Sequence, residues 1–318
     1  MKIHLPNSAF LGNIDPFLRG FDPSGPATLE ITANKDWISV HPMVLSMIAA
    51  LGLSVKSKNI HCEELEATSK HYLVRMGLFK ILKVPSTINI AEHEPAGRFI
   101  PLTQIQTSDE LTVFITEMIP LLHLESEQAK TLGYIISELV RNVIEHAEAE
   151  NGAIVCAQYY KKSNSIRIGI ADTGLGIKAT INRSYSAKTD LEALQLALMP
   201  GVTGTTRREG GTEQNAGAGL FFIKSIAQVN RDFFVIYSGN GFYKLLKKQP
   251  QRLALHADPF LDRHSTDDLM PYWRGTLAGV DITLNQTAEF SLLLDAIRKT
   301  YSDAIRERKK ARYKPQFI

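Results

Sequence analysis

The run from Ser126 to Ala147 constrains the fold of this chain most. Leu132, Ile136, Leu139 and Val143 recur at i, i+4, i+7 and i+11, which draws one apolar stripe along a helix over 126–147, with Ser126 as its N-cap. Such a stripe must be buried against another element. Two apolar strands follow, Ala153–Tyr160 and Ile166–Ala171, joined by the short polar link Lys161–Ser165 of hairpin length. Helices laid on a sheet, an α/β architecture, are the economical way to bury both. Further strands are expected at 233–238, 242–247 and near 275–284, and further helices at 108–122, 190–199 and Leu220–Val229.

The polar side of the long helix carries chemistry. Glu138, Asn142 and His146 are spaced by four and lie along one face that borders the apolar stripe. A carboxylate beside a carboxamide can hold a hydrated cation and orient a water, although an ordinary solvated helix face reads the same in isolation. A second segment, Ile168–Ile177, ends an apolar strand in Asp172 and follows it with Gly174 and Gly176. A carboxylate at a strand end can accept a hydrogen bond from an exocyclic amine, and the glycines let the backbone turn beside a flat ring. Asp-Thr-Gly also occurs in aspartic proteases, but those need two such carboxylates in an all-β setting. A dinucleotide fingerprint needs a third glycine, and Asp172 would set a negative charge against the pyrophosphate. The third segment, Gly201–Lys224, holds six glycines, at 201, 204, 210, 211, 217 and 219, the last two opening an apolar helix whose free N–H groups suit a phosphate. It lacks the Gly-Lys-Ser/Thr ending of a Walker A loop.

Taken in order, Glu-x-x-x-Asn on a helix, Asp-x-Gly-x-Gly after a strand and Gly-x-Gly opening a helix resemble the GHKL superfamily over about residues 108–285. The resemblance implies a Bergerat α/β sandwich, a mixed sheet with helices on one face, that binds ATP with Mg²⁺. It implies that Asn142 holds the Mg²⁺, that Glu138 is the general base, and that Asp172 bonds the adenine amine. Gly174, Gly176 and Ile177 would line the base pocket, Gly217, Gly219 and Leu220 would face the phosphates, and Thr276, in Trp273–Thr276, would share a water with the adenine. Residues 201–216 would be a lid, open to proteolysis near Arg207–Arg208 without nucleotide. Among the branches, Glu-x-x-x-Asn-x-x-x-His looks most like the anti-sigma serine kinases. His123 lacks the acidic neighbour of a phospho-acceptor histidine, and no chain is left for a topoisomerase's further domains.

The N-terminal part is expected to be a second α/β unit, since 318 residues suggest about two domains. Residues 1–26 read as an irregular arm. A strand at Ala27–Thr32, an apolar helix after Pro42, a strand at 54–60 and a helix at Ser69–Leu82 follow, and 83–103, with three prolines, reads as a connector. ATLEIT, the helix after Pro42 and Tyr72–Phe79 are similar to STAS-like domains, the partners of such kinases. The expected division is a STAS-like domain over 1–95, a GHKL domain over 96–288 and a basic helical tail over 289–318. A net charge of +3, from 36 basic and 33 acidic residues, argues for neither nucleic acid nor membrane. Cys62 and Cys156 make no metal-ligand spacing, and the first residues hold no signal-like apolar run, so the cytoplasm is the expected location. The expected function is an ATP-dependent Ser/Thr kinase or partner-switching regulator with a protein partner or substrate. A slow ATPase switch or an ATP-sensing module without catalysis is the alternative, and a homodimer is left open.

Overall fold

The computed structural model describes residues 1–62, 70–85, 98–204, 218–247, 255–284 and 290–312. The N-terminal part contains β1 (Lys2–Leu5), β2 (Ser8–Ala9), α1 (Asp15–Arg19), β3 (Leu29–Ala33), β4 (Ser39–Val40), α2 (Pro42–Leu53), β5 (Ile60–Cys62), α3 (Lys70–Arg75) and α4 (Leu78–Leu82). Its main sheet is parallel in the order β1-β3-β5, with Lys2 opposite Glu30 and Leu29 opposite Ile60. The expected irregular arm therefore contains a strand. Ile3 and Leu5 point inward and their neighbours outward, a four-residue alternation masked by the Pro, Gly and Asn that follow it. The single helix expected at 69–82 is two, because Gly77 between them has φ +76°, a left-handed turn that no helix can contain.

The remaining described elements are β6 (Phe99–Ile105), α5 (Ser108–Val113), α6 (Ser126–Asn142), β7 (Ala153–Tyr160), β8 (Ser165–Ala171), α7 (Ile177–Ile181), α8 (Asp190–Ala197), α9 (Gly219–Val229), β9 (Phe234–Gly239), β10 (Gly241–Leu245), β11 (His264–Asp267), β12 (Trp273–Thr283) and α10 (Phe290–Arg312). Seven strands form one sheet in the order β11-β10-β9-β12-β8-β7-β6. Where a mixed sheet was expected, every described ladder is antiparallel, because tight hairpins join β7 to β8 and β9 to β10. The expected connector at 83–103 ends in strand β6. Pro101 concealed it, but Pro101 lies on an edge strand where the register shifts between Ile100 and Thr103, and an edge tolerates a missing N–H.

Both faces of the large sheet are buried. Val155, Ile168, Ile236 and Val280 face α6 and α9, whereas Ile154, Cys156, Val235 and Leu277 share a core with the N-terminal residues. The N-terminal sheet and one face of the large sheet thus share a core. The key piece is α2, which is apolar all round and buried throughout from Pro42 to Gly52, as a helix held between layers must be. His41 caps it, accepting the Met43 N–H at 3.0 Å. Its first turn lies directly on β8, where a Cβ at Gly169 would stand 2.1 Å from the Met43 nitrogen. Gly169→Ala is therefore expected to destabilise the whole fold by about 1–3 kcal/mol or more, as overpacking does, read as a lowered urea midpoint. An unchanged midpoint would mean that α2 is not fixed on the sheet.

On the opposite face, α10 docks rather than trailing as a free tail. Ile297 is fully buried, and Tyr301 meets the rings of Phe221 and Phe222 of α9 at 6.3 and 6.0 Å. The far side of α9 is pinned by Lys224, buried and paired with Asp262 at 2.5 Å, while Gln228 donates to the other oxygen of the same carboxylate. Among the described residues no helix is long and apolar enough to cross a membrane.

Candidate functional site

The helix expected to run to Ala147 is α-helical only to Asn142, and Val143–Ala147 continue as one wider π turn. Such turns free backbone carbonyls and are frequent at functional sites. Here the freed carbonyl of Ala147 accepts the Leu175 N–H at 2.7 Å, and that of His146 takes the Thr180 hydroxyl at 3.5 Å. The loop after β8 is thereby hung from the end of α6. Gly174 fits under it because a Cβ there would lie 2.1 Å from the Ala147 oxygen.

Between α6, this loop, the sheet and the start of α9 lies a cavity of about 300 Å³. Of the residues singled out in the sequence, it brings together Glu138, Asn142, Asp172, Gly176, Ile177, Gly219, Leu220 and Thr276. Gly174 stands behind this lining. Gly217 and the rest of the expected lid from 205 on lie outside the described residues.

Asp172 forms the floor. Its Oδ1 accepts the Gly174 N–H at 2.8 Å and its Oδ2 the Thr276 N–H at 3.2 Å, and its own N–H bonds the Thr276 carbonyl. Burial pushes the carboxyl up to about 7, against the pull of these backbone donors. Gly176, with φ +78°, turns the chain so that the Ile177 N–H reaches the Ser238 hydroxyl at 2.9 Å, and that hydroxyl donates to the Gly275 carbonyl at 2.6 Å. Sequence reasoning missed Ser238. The available signal was a hydroxyl closing the otherwise apolar strand β9.

The opposite wall holds the helix pair. Burial raises the Glu138 carboxyl above its ordinary value, the direction a general base at neutral pH requires. Its Oε2 abuts the first turn of α9, where a Cβ on Gly219 would stand 2.3 Å away. One turn along α6, the Asn142 side-chain nitrogen is buried and has no hydrogen-bond partner among the described residues. An unsatisfied carboxamide on a cavity wall is costly unless a ligand completes it. No group of three or more His, Cys, Asp or Glu among the described residues could cage a metal. The unpartnered atom is an N–H donor, so what completes it is an acceptor such as a phosphate oxygen, while the carboxamide oxygen is the atom that could face a hydrated cation. Tyr134, Arg141, Thr180 and Thr203 also line the cavity. The sequence signal for Tyr134 was its place one turn before Glu138.

A buried carboxylate at a strand end, a helix carrying a carboxylate and a carboxamide, and the start of a second helix line one cavity of this α/β fold. Residues 101–231 match the family model of the histidine kinase-like ATPase domain, which supports the GHKL-like ATPase superfamily. The match runs from β6 through α9 and contains Glu138, Asn142, Asp172 and Gly219. No curated protein and no solved structure matches the chain.

Proposed function

We propose that this protein binds ATP with Mg²⁺ and acts as an ATP-dependent Ser/Thr protein kinase of the partner-switching kind, in the cytoplasm. The observation that carries the reading is the single cavity lined together by the buried Asp172 carboxylate, Glu138 and Asn142. Asp172 selects the adenine. Gly219 and Leu220 offer N–H groups to the phosphates. Asn142 would hold Mg²⁺, which when bound neutralises phosphate charge. Glu138 takes the proton of a Ser/Thr hydroxyl as its oxygen bonds to the γ-phosphorus and the bond from that phosphorus to the ADP oxygen breaks. A base at Glu138 argues against a pure binding module, which needs the adenine and metal contacts alone.

The three strands β1, β3 and β5 with α2 support a STAS-like partner module held in the same chain. Thr276 and Ile177 complete the base pocket. Incubation with γ-labelled ATP and a candidate protein partner tests the reading. Labelled phosphoprotein is the expected result. Free phosphate alone would make the protein an ATPase switch, and neither product, with ATP bound, would make it a sensor.

Asn142→Ala is expected to remove the Mg²⁺-dependent part of ATP affinity and to leave the weaker metal-free part intact, as titrations with and without Mg²⁺ would show. Equal losses in both would point to a misfolded helix instead of a lost metal ligand.

A further inference from the structure

A second cavity, of about 810 Å³, lies behind the first, between the N-terminal part and the loops that carry the nucleotide site. It falls within the roughly 300–1,000 Å³ typical of small-molecule sites. Phe21, Leu51 and Val55 give it an apolar wall, all three buried. Trp273 lines it from β12, in edge contact with Phe21 at 6.0 Å. The Trp273 side chain is 1% exposed, yet its indole N–H has no acceptor among the described residues. A buried donor of this kind ordinarily finds a partner, and leaving it unpaired is costly.

The charges at the mouth decide the sign of an occupant. Lys56 and Arg274 line it with no ion pair among the described residues, against Glu148 and Glu150. Glu148 is already paired with Arg183 at 2.6 Å, which leaves the mouth net positive. We propose that this cavity is a ligand site for a small organic carboxylate with an apolar body. The body packs on Phe21, Leu51 and Val55. The carboxylate accepts the Trp273 indole N–H, and Lys56 and Arg274 draw the anion in. The site shares its wall with the nucleotide cavity: Thr173 lines it between Asp172 and Gly174, and Trp273 lies three residues before Thr276. The proposal does not depend on which ATP chemistry the protein performs.

The test uses octanoate as the probe and the full chain without nucleotide. The chain has two tryptophans, Trp37 and Trp273, so two indole N–H resonances report separately, assigned with Trp37→Phe. Octanoate is expected to shift the Trp273 resonance saturably and to leave that of Trp37 in place. Trp273→Phe should weaken octanoate binding by calorimetry about 10- to 150-fold, the loss of a hydrogen bond to a charged group. The exposed double variant Lys56→Glu with Arg274→Glu, which leaves the buried wall untouched, should weaken it as well. Asp172→Ala should bind octanoate like the parent, which separates this site from the nucleotide reading. No shift at about 10 mM octanoate, well above a millimolar dissociation constant, would overturn the proposal. Equal binding of octylamine would overturn the anion assignment, and loss of the shift on adding ADP would place octanoate in the nucleotide cavity.

Discussion

Glu138→Gln should keep ATP affinity within a few-fold and lose turnover by about 10²–10⁴-fold, the usual worth of a positioned general base. The substitution preserves the shape of the side chain against α9, where Gly219 leaves room for it. Burial already raises the carboxyl, so it holds a proton more readily than a surface glutamate, and its conjugate form can abstract one from a hydroxyl or water near neutral pH. Gln cannot take that proton. Because the interaction is made in the transition state, the loss belongs in kcat and not in ground-state binding. Single-turnover measurement with labelled ATP separates the two. Parent-like turnover in a folded Glu138→Gln protein would end the base assignment.

The site was legible in the sequence because its residues obey short-range geometry. Glu138 and Asn142 share a face by the helical period, and Asp172 ends an apolar strand before glycines, but only the resemblance carried by the three segments in order joined Asp172 to the helix pair. The structure adds what spacing cannot carry. The π turn at Val143–Ala147 breaks no pattern of apolar residues, so its freed carbonyls were invisible, and with them the way the Asp172 loop is suspended. Ser238 and Gly275 meet only through strand pairing distant in sequence. The largest departures lie in the N-terminal part. Periodicity showed that α2 is apolar, but an apolar run says only that a helix is buried, not between which layers. Pro101 suggested a break, and only the edge position of β6 explains why it is none. Gly169 shows the same limit: a glycine inside an apolar strand signals close approach by something, and the structure identifies the first turn of α2.

Loss of the adenine contact should be the clearest binding defect. Asp172→Ala removes a hydrogen bond to a charged acceptor, worth about 1.5–3 kcal/mol, and should weaken ATP and ADP alike by roughly 10- to 150-fold. The raised carboxyl adds a second signature. Its folded value, about 7, lies above the 3.8 of an ordinary aspartate because burial disfavours the charge. In that window the folded chain holds a proton that the unfolded chain has released, so this group's contribution to the stability of the nucleotide-free protein is present at low pH and fades as pH rises to about 7. An amine donating to the ionised carboxylate lowers its value again. Binding below about pH 7 should therefore release a proton, and affinity should climb with pH by up to about tenfold per unit before levelling off. Adenosine is the ligand of choice, since it has no phosphate to titrate in the same range. Calorimetry in buffers of different ionisation enthalpy counts the proton directly, and Asp172→Asn should abolish both the release and the pH dependence. Adenosine binding that is flat across this range in the parent protein would remove Asp172 from the base pocket.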